Sequence, residues 1–207
     1  MKTLLLNASP NKNEAVARAL LECESTIRRE GVEVLRIWIG NEQRHSCSDC
    51  GGCKSKDGCI YRDIDDITDA FKASDSVIIG VPTHFGGAPG NLLSILSRLI
   101  FSKKSCIFGK PVAVIGVGRR GCITTAIYEV EKYFKFASCP IVSGNYPAIL
   151  YAKDKDSAEY DFEGLQNMRC ITKNLLWLTK CIEIAKNSGV IIPPSELKIK
   201  TDIATLT

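Results

Sequence analysis

The amino-acid sequence predicts a single α/β domain in which a parallel five-stranded sheet is covered by helices on both faces. Short β-rich apolar runs alternate with amphipathic helical segments along most of the 207 residues. Two runs, 76–81 and 111–117, are apolar almost throughout, as expected for strands buried on both faces. The chain is 45% hydrophobic and long enough for a complete core. We therefore expect a doubly wound, three-layer fold.

The strands are assigned to apolar runs that are too short for helices. The five predicted strands cover residues 3–6, 32–39, 76–81, 111–117 and 141–144. Sheets of this class bind ligands outside the carboxyl ends of the strands, where the strand order reverses. The loops after the first, third and fourth strands are therefore the predicted binding site.

The helices are assigned from apolar residues at helical spacing. The five predicted helices cover about residues 14–30, 63–71, 89–99, 124–134 and 162–186. Gly31 is expected to cap the end of the first helix, Asp63 to cap the start of the second, and Pro89 to lie in the first turn of the third. Residues 1–189 are predicted to form the domain, with residues 190–207 as a C-terminal tail.

Charge and composition restrict the class of partner. The 27 Lys and Arg residues against 23 Asp and Glu give a net charge of +4, with both signs mixed along the chain. This excess favours a modestly anionic small ligand over a nucleic acid. The longest uncharged stretch, 76–97, contains prolines and glycines and is not predicted to span a membrane. With no secretory signal at the N-terminus, we expect a soluble cytoplasmic protein.

The loop after the first strand has features of a phosphate site. It reads Asn-Ala-Ser-Pro-Asn-Lys-Asn over residues 7–13, directly before a helix whose N-terminal amides suit a phosphate. Ser9 and Asn13 are hydrogen-bond donors, and Lys12 adds a positive charge. Neither GxGxxG nor GxxxxGK followed by Ser or Thr is present, which excludes a dinucleotide fingerprint and a P-loop. A simple turn with a helix cap is the alternative.

The loops after the third and fourth strands are rich in glycine. Residues 81–90 read Val-Pro-Thr-His-Phe-Gly-Gly-Ala-Pro-Gly, and residues 116–121 read Gly-Val-Gly-Arg-Arg-Gly. Glycine lets a backbone approach a flat ligand closely, and His84 and Phe85 are suited to flank one. For both loops the alternative is an ordinary connection between a strand and a helix, with no role in binding.

Four of the ten cysteines lie in one polar segment, about residues 40–62. Their spacing is C-x2-C-x2-C-x5-C, from Cys47, Cys50 and Cys53 to Cys59. This compact spacing favours a [4Fe–4S] cluster over zinc, whose sites usually have two CxxC pairs separated by a longer loop. Free or redox-active thiols are the third alternative. The scattered cysteines are expected to be small buried residues: Cys23, Cys106, Cys122, Cys139, Cys170 and Cys181.

Together these motifs resemble those of the iron–sulfur flavoproteins, in the flavodoxin-like, NADPH-dependent FMN reductase superfamily. The resemblance rests on the loop at 7–13, the Val-Pro-Thr-His-Phe-Gly segment, the cysteine motif and the helix entry Asp-Phe-Glu-Gly-Leu at 161–165, and it covers about residues 1–187. It implies a flavodoxin-like sheet in the order 2-1-3-4-5 that binds FMN. In the cluster-bearing branch the cluster relays electrons to FMN, often in a neighbouring subunit of a dimer or tetramer.

By position, the resemblance also implies the residues that contact each cofactor. The FMN phosphate would contact Ser9, Asn11, Lys12, Asn13, Ala15 and Val16. The ring would contact Pro82, Thr83, His84, Phe85 and Gly86 on one side and the loop from Gly118 to Gly121 on the other. The cluster ligands would be Cys47, Cys50, Cys53 and Cys59. No side chain is nominated as an acid or base.

The chain departs from the usual family pattern in the phosphate loop and beside the ring. Asn11 stands where Arg is usual, and Glu14 begins a triplet that is usually Gly-Asn-Thr-like, which places a carboxylate near the phosphate. His84 stands where Tyr is common, and Cys122-Ile123 replaces a Gly-Gln-Glu run.

Three functions fit these features. The first is an FMN-dependent oxidoreductase that relays electrons between a [4Fe–4S] cluster and FMN, with ferredoxin or NAD(P)H as its redox partner. The second is an NAD(P)H-dependent FMN or quinone reductase whose cysteines bind nothing. The third is a flavin-free zinc or thiol redox protein. We take the first as the prediction, and we expect a homodimer or homotetramer.

Overall fold

A computed structural model describes residues 1–55 and 58–194 and has a five-stranded parallel sheet at its centre. The strands are β1 (Lys2–Asn7), β2 (Glu33–Trp38), β3 (Ser76–Pro82), β4 (Val112–Gly118) and β5 (Ala148–Tyr151). Their order is β2-β1-β3-β4-β5, so the strand order reverses between β1 and β3. The predicted fold class and strand order are confirmed.

Helices cover both faces of the sheet. They are α1 (Ala15–Arg29), α2 (Gly52–Ser55), α3 (Asp65–Ala73), α4 (Gly90–Lys103), α5 (Ile123–Lys135) and α6 (Phe162–Asn187). In β1, Leu4 and Leu6 face the apolar cluster under α3, α4 and α5, whereas Leu5 faces the cluster under α1 and α6. This alternation follows from the two-residue period of a strand and produces three layers.

The first helix shows why the sequence pattern succeeds. In α1 the buried residues Val16, Cys23 and Ile27 recur at helical spacing and pack on the sheet. The chain leaves α1 through Gly31, whose φ of +70° lies in the left-handed region that favours glycine. The predicted cap is therefore confirmed.

The predicted position of the fifth strand was wrong. The fifth strand is Ala148–Tyr151, not 141–144, and Ile141 forms only an isolated bridge with Val112. Strand β5 pairs with the carboxyl half of β4, from Ile115 to Gly118. The continuous pairing of the two strands therefore begins at Ala148, later in the chain than the predicted strand at 141–144.

Asp63 does not cap α3, and Pro89 does not lie inside α4. The residue before α3 is Ile64, with no side-chain cap, because the Asp63 carboxylate accepts a 2.6 Å hydrogen bond from Arg98 instead. A charged guanidinium binds a carboxylate more strongly than a neutral backbone amide does. Pro89 is the N-cap of α4, one residue before the predicted position.

The scattered cysteines differ in their burial more than the sequence predicted. Cys23 and Cys139 are buried, and burial raises the pKa of the first thiol to about 12 and of the second to about 11. Cys122 is exposed at the N-cap of α5, so the prediction of burial was wrong there. The remaining three are half-buried: Cys106, Cys170 and Cys181.

The C-terminal part of the described chain leaves α6 and returns toward the sheet. Ile192 packs against Gly109, so the first residues of the predicted tail contact the domain. The rest of that tail, residues 195–207, lies outside the described residues. Over residues 1–55 and 58–194, no helix has both the length and the apolar character that crossing a bilayer requires.

Candidate functional site

The carboxyl ends of the strands border a cleft of about 450 Å³, a volume typical of small-molecule sites. Its walls come from the three predicted loops and from the chain after β5. The lining residues are Ser9, Asn11, Glu14, Ala15, Val16, Pro82, Thr83, His84, Val117, Gly118, Arg119, Ala152 and Lys153. The fold thus brings residues of the predicted phosphate loop and of both predicted ring loops to one cleft.

The first loop is folded by the side chain of Asn7. Its Oδ1 accepts a hydrogen bond from the Ser9 amide at 2.9 Å, and its Nδ2 donates to the Lys12 carbonyl at 3.1 Å. The Ser9 hydroxyl in turn accepts from the Asn11 amide at 3.1 Å and keeps its own proton for a ligand. Asn7 was absent from the predicted site, although an Asn two residues before a Ser is a recognisable turn signal.

The start of α1 forms the floor of the cleft. Glu14 precedes the helix and provides no side-chain cap, and the Arg18 amide donates to the Glu14 carbonyl. The amides of the first turn therefore lack partners within the helix and form an anion site. The glycine at position 80 of β3 lets α1 pack close to the sheet, because an added Cβ there would lie only 2.6 Å from Cγ1 of Val16.

Lys12 and Asn13 lie outside this cleft. Both line a neighbouring cavity of about 750 Å³ between α1 and β2. The Lys12 ammonium lies 5.4 Å from the centre of the Trp38 ring, while the Trp38 indole donates to the Ser9 carbonyl at 2.7 Å. The cation–π contact draws Lys12 toward the outside of the loop.

The cations that line the cleft are Arg119 and Lys153. Arg119 belongs to the predicted glycine-rich loop but was not assigned a role. Lys153 follows β5 and was missed because the fifth strand was assigned too early in the chain. The carboxylate of Glu14 also borders the cleft, as the sequence departure suggested, and accepts a hydrogen bond from the Lys155 amide at 3.3 Å.

The loop after β3 is a tight turn that carries Phe85 at its tip. His84 and Gly87 exchange two backbone hydrogen bonds of 2.9 Å, and φ is +49° at Phe85 and +85° at Gly86. Two successive positive φ values define the type I′ class of turn. The Phe85 side chain is fully exposed, so its left-handed backbone is not offset by packing. Strain of this kind is concentrated at binding sites.

The loop after β4 closes the other side of the cleft. The Thr83 amide donates to the Val117 carbonyl at 2.8 Å, which joins the third and fourth loops. Among residues 1–55 and 58–194, the Thr83 hydroxyl is buried beside Gly118 and has no hydrogen-bond partner. Phe85, Gly86 and Gly121 lie beyond the cleft lining, on the turn tip and the exposed loop.

These features fit FMN. The uncapped helix start suits a phosphate, and the glycine backbone at Gly118 leaves room for a flat ring. The unpartnered Thr83 hydroxyl is a buried polar group that a heteroatom of the ring system would satisfy.

The four clustered cysteines line one small cavity of about 30 Å³. Cys47 and Cys50 are exposed, Cys53 and Cys59 are half-buried, and all four are free thiols. In the part of the chain that the structure describes, no three His, Cys, Asp or Glu side chains converge tightly enough to hold a single metal ion. The thiols therefore share a pocket without converging on one point.

A buried arginine lies against this pocket. Arg98 of α4 is 1% exposed, and its Nη1 lies 2.6 Å from Oδ1 of Asp63 and 3.9 Å from Sγ of Cys59. Burial opposes ionisation of the Asp63 carboxyl, but the bond from Arg98 outweighs it and holds the pKa below its ordinary value. Within the part of the chain that the structure describes, Nε and Nη2 of Arg98 have no hydrogen-bond partner. A buried cation with free donors fits a negatively charged thiolate centre.

The cysteine pocket lies beside α4, whose residues Arg98, Phe101 and Ser102 form part of its wall. A cavity of about 480 Å³ separates this pocket from the cleft; His84 lines this cavity and the cleft, and Ser46 lines this cavity and the cysteine pocket. Ser46 and Ser94 share a 3.2 Å hydrogen bond, which attaches the cysteine segment to α4. The rings of His45 and Tyr61 stack with centroids 4.3 Å apart and join the two ends of that segment.

The family is established by comparison of the sequence with known proteins. Residues 1–154 match the model of the NADPH-dependent FMN reductase family. The chain belongs to this family. It is accordingly an FMN-dependent oxidoreductase with a flavodoxin-like fold, and FMN is its flavin.

Several relatives of this FMN reductase family member span nearly the same length. An iron–sulfur flavoprotein of Methanocaldococcus jannaschii is 26% identical over 194 residues, which cover 88% of this chain and all of the relative. An iron–sulfur flavoprotein of Methanosarcina thermophila is 25% identical over 190 residues, which cover 88% of this chain and 97% of the relative.

Solved structures share the fold of this FMN reductase family member. RosB, solved with bound 8-demethyl-8-formylriboflavin-5′-phosphate, superposes with a TM-score of 0.69 at 12% identity over 98% of this chain and 93% of its own. A flavodoxin from the domain Archaea superposes with a TM-score of 0.58 at 13% identity over 87% of this chain and 99% of its own. At these identities the similarity concerns the fold alone.

Proposed function

We propose that this protein passes electrons between FMN in the cleft and a [4Fe–4S] cluster bound by Cys47, Cys50, Cys53 and Cys59. The observation that carries the proposal is that all four thiols line one pocket against a buried cation, and that a single further cavity borders both this pocket and the cleft. Two full-length relatives named iron–sulfur flavoproteins support it.

The proposed roles of the side chains are binding, orientation and exclusion of water. The amides at the start of α1, with Ser9 and Asn11, hold the phosphate, while Pro82, Thr83 and His84 flank the ring. The wider proposed contact set also includes Lys12 and Asn13 near the phosphate and Phe85, Gly86 and Gly121 near the ring. FMN exchanges one or two electrons and the cluster exchanges one, so these cofactors supply the redox chemistry.

Iron analysis of anaerobically purified protein tests the cluster. We expect about four irons and as many acid-labile sulfides per chain. Cys53→Ser removes one proposed ligand and should abolish most of the iron while FMN content is retained. Cys170→Ser, a half-buried cysteine of α6, is the matched control and should keep both cofactors. Fewer than about two irons in the parent protein, or equal iron in both variants, would contradict the proposal.

An NAD(P)H-dependent FMN reductase without a cluster is the second candidate function. The family match favours it, and the 480 Å³ cavity beside His84 offers room for a second ligand next to the ring loops. Stopped-flow mixing with NADPH separates the candidates. Rapid bleaching of the flavin by NADPH, at the same rate in Cys53→Ser, supports the reductase without a cluster. A flavin that NADPH does not reduce but reduced ferredoxin reduces rapidly supports the cluster-linked protein. Failure to reconstitute with FMN would instead favour the flavin-free thiol or zinc alternative.

We also propose a homodimer or homotetramer. Phe101 borders the cysteine pocket and is 62% exposed, and Trp177 of α6 is 68% exposed. Exposed aromatic side chains of this size are typical of interfaces. Size-exclusion chromatography with light scattering should give a multiple of the 22.7 kDa chain mass, and a monomer at all concentrations would contradict this.

A further inference from the structure

We infer that Arg98 is a positioning residue of the cysteine site, where its buried guanidinium donates to sulfur and raises the reduction potential of the bound centre. The inference rests on the proposed cluster and adds a residue outside the cysteine motif. Arg98 lies in α4, 39 residues after Cys59, and nothing in the motif points to it.

The hydrogen bonding of Arg98 is incomplete within the described chain. Arginine is almost never fully buried unless it is paired. Here Nη1 donates hydrogen bonds to both Oδ1 of Asp63 and Sγ of Cys59. In the described residues, Nε and Nη2 are buried and have no hydrogen-bond partner. The cation also lies 5.8 Å from the Tyr61 ring centre. A guanidinium with unused donors on the wall of a four-thiol pocket is arranged to bind a further acceptor there.

The charge balance around Arg98 points to the same acceptor. The one carboxylate in hydrogen-bond contact with its side chain in the described structure is Asp63, which is itself held by a hydrogen bond from Arg44 to its backbone carbonyl. A [4Fe–4S] centre held by four thiolates would keep a net negative charge, which a neighbouring buried guanidinium would partly offset. Reduction adds a further negative charge, which a buried cation stabilises.

A purely structural ion pair is the competing explanation. In that case Arg98 and Asp63 merely fasten the cysteine segment to α4, and their loss changes the stability of the fold without changing the potential of a centre that still forms. Hydrogen bonds and charges near cluster sulfurs, by contrast, directly set the reduction potential. The potential is therefore the readout that separates the two explanations.

The test compares Arg98→Gln with Arg62→Gln in anaerobically purified full-length protein. Arg62 lies near the cysteines but is 65% exposed on its side chain, so its variant removes the same charge without removing a buried donor. In a spectroscopic redox titration, Arg98→Gln should lower the reduced-to-oxidised ratio at a fixed potential at least tenfold, which is a shift of about 59 mV for a one-electron couple. Arg62→Gln should leave the ratio within twofold of the parent.

Two further variants keep the inference testable where Arg98→Gln does not fold. Arg98→Lys keeps the positive charge but loses the planar set of N–H donors. The reduction potential of its bound centre should fall less than that of Arg98→Gln. Asp63→Asn removes the counter-charge and should shift the potential upward. An unchanged potential in these variants overturns the inference.

The outcomes separate the inference from the proposed function. A parent protein without iron overturns the cluster, and this inference with it. A parent protein with a full cluster, and equal potentials in Arg98→Gln and Arg62→Gln, overturns the role of Arg98 alone. Loss of iron in Arg98→Gln with FMN retained fits both explanations, and the potentials of Arg98→Lys and Asp63→Asn then decide between them.

Discussion

The cleft and the cysteine segment are held in place by different forces. At the cleft, backbone hydrogen bonds continue past the strand ends: the Ala8 amide donates to the Gly80 carbonyl at 2.9 Å and the Ala152 amide to the Gly118 carbonyl at 3.0 Å. In the cysteine segment, the anchors to the rest of the chain are mainly side-chain contacts, such as Arg98 with Asp63 and Ser46 with Ser94. The cleft is thus a consequence of the sheet, and the cysteine segment depends on a few polar side chains.

The cleft and the cysteine segment should therefore be destabilised by different kinds of substitution. Backbone-defined walls tolerate most side-chain changes but not a change that separates a helix from the sheet. A segment anchored by buried polar pairs fails when one partner is removed, because the other is left buried and uncompensated. The following variants probe both regions.

The largest expected effect is at the ion pair of the cysteine segment. Asp63→Asn leaves the Arg98 guanidinium buried without its counter-charge. Breaking a buried pair costs about 3–5 kcal/mol, and we expect about 3 kcal/mol because the Asp63 side chain is 28% exposed. Urea unfolding of the metal-free protein measures it. Asp65→Asn, in the exposed pair with Arg62, is the control, and equal losses in both variants would contradict the prediction.

Gly80→Ala tests the packing that forms the floor of the cleft. The added Cβ would lie 2.6 Å from Val16 and 3.0 Å from Leu20, so α1 must move away from β3. We expect a loss of about 2 kcal/mol in unfolding free energy and weaker FMN binding. Gly90→Ala is the control, since nothing lies within 4 Å of its added Cβ. Equal unfolding midpoints for the two variants would contradict the close approach.

Glu24→Gln tests the pH dependence of the α1–β2 side of the fold. Burial opposes ionisation of the Glu24 carboxyl, but hydrogen bonds from Arg36 and Arg28 hold its pKa below the ordinary 4.5. The stabilisation is therefore complete well above pH 4.5 and is lost as the pH falls through the lowered pKa.

At pH 7 the Glu24→Gln variant should be about 1.5 kcal/mol less stable than the parent, the scale of a hydrogen bond to a charged group. The difference should shrink toward zero in acid. Urea unfolding between pH 7 and pH 3 measures both the difference at neutral pH and its decrease in acid. Glu33→Gln, in an exposed pair with Lys2, should change little at either end. A difference that persists unchanged at pH 3 would rule out the ionic explanation.

Lys153→Ala and Lys12→Ala compare a cation in the cleft with one outside it. Lys153 lines the cleft, whereas Lys12 lies over Trp38 in the neighbouring cavity. Loss of one exposed charge near a phosphate is worth up to about 1 kcal/mol, so Lys153→Ala should raise the Kd for FMN about fivefold. Lys12→Ala should raise it less than twofold. Fluorescence titration measures both, and the reverse order would make Lys12, rather than Lys153, the main cation of the phosphate site.

Phe85→Asn has the smallest expected effect on binding and almost none on folding. The side chain packs against nothing, and Asn tolerates the left-handed conformation, so unfolding free energy should change by less than about 0.5 kcal/mol. A lost aromatic contact with the ring should raise the Kd for FMN about threefold. Phe136→Asn, at a side chain that is 71% exposed and has an ordinary right-handed backbone, should change neither quantity. An unchanged Kd in Phe85→Asn would remove Phe85 from the site.

Most of the fold could be predicted because its information is local and periodic. Alternating apolar runs and helical stripes identify β1 to β4 and the long helices to within a few residues, and the glycine at position 31 ends α1 as expected. The fifth strand was misplaced because the run at 141–144 begins with two β-branched residues, Ile141 and Val142. Only pairing with the far half of β4 distinguishes Ala148–Tyr151 from it.

The loop residues and the cysteine spacing can be read from the sequence, because they depend only on neighbours along the chain, whereas the strand order was implied by the resemblance to a known family. Tertiary structure alone decided that Lys12 turns to Trp38, that Lys153 reaches the cleft and that Arg98 lies buried against Cys59. Each of these depends on which distant groups compete for a long charged side chain. That competition is settled by burial and geometry, which no local pattern encodes.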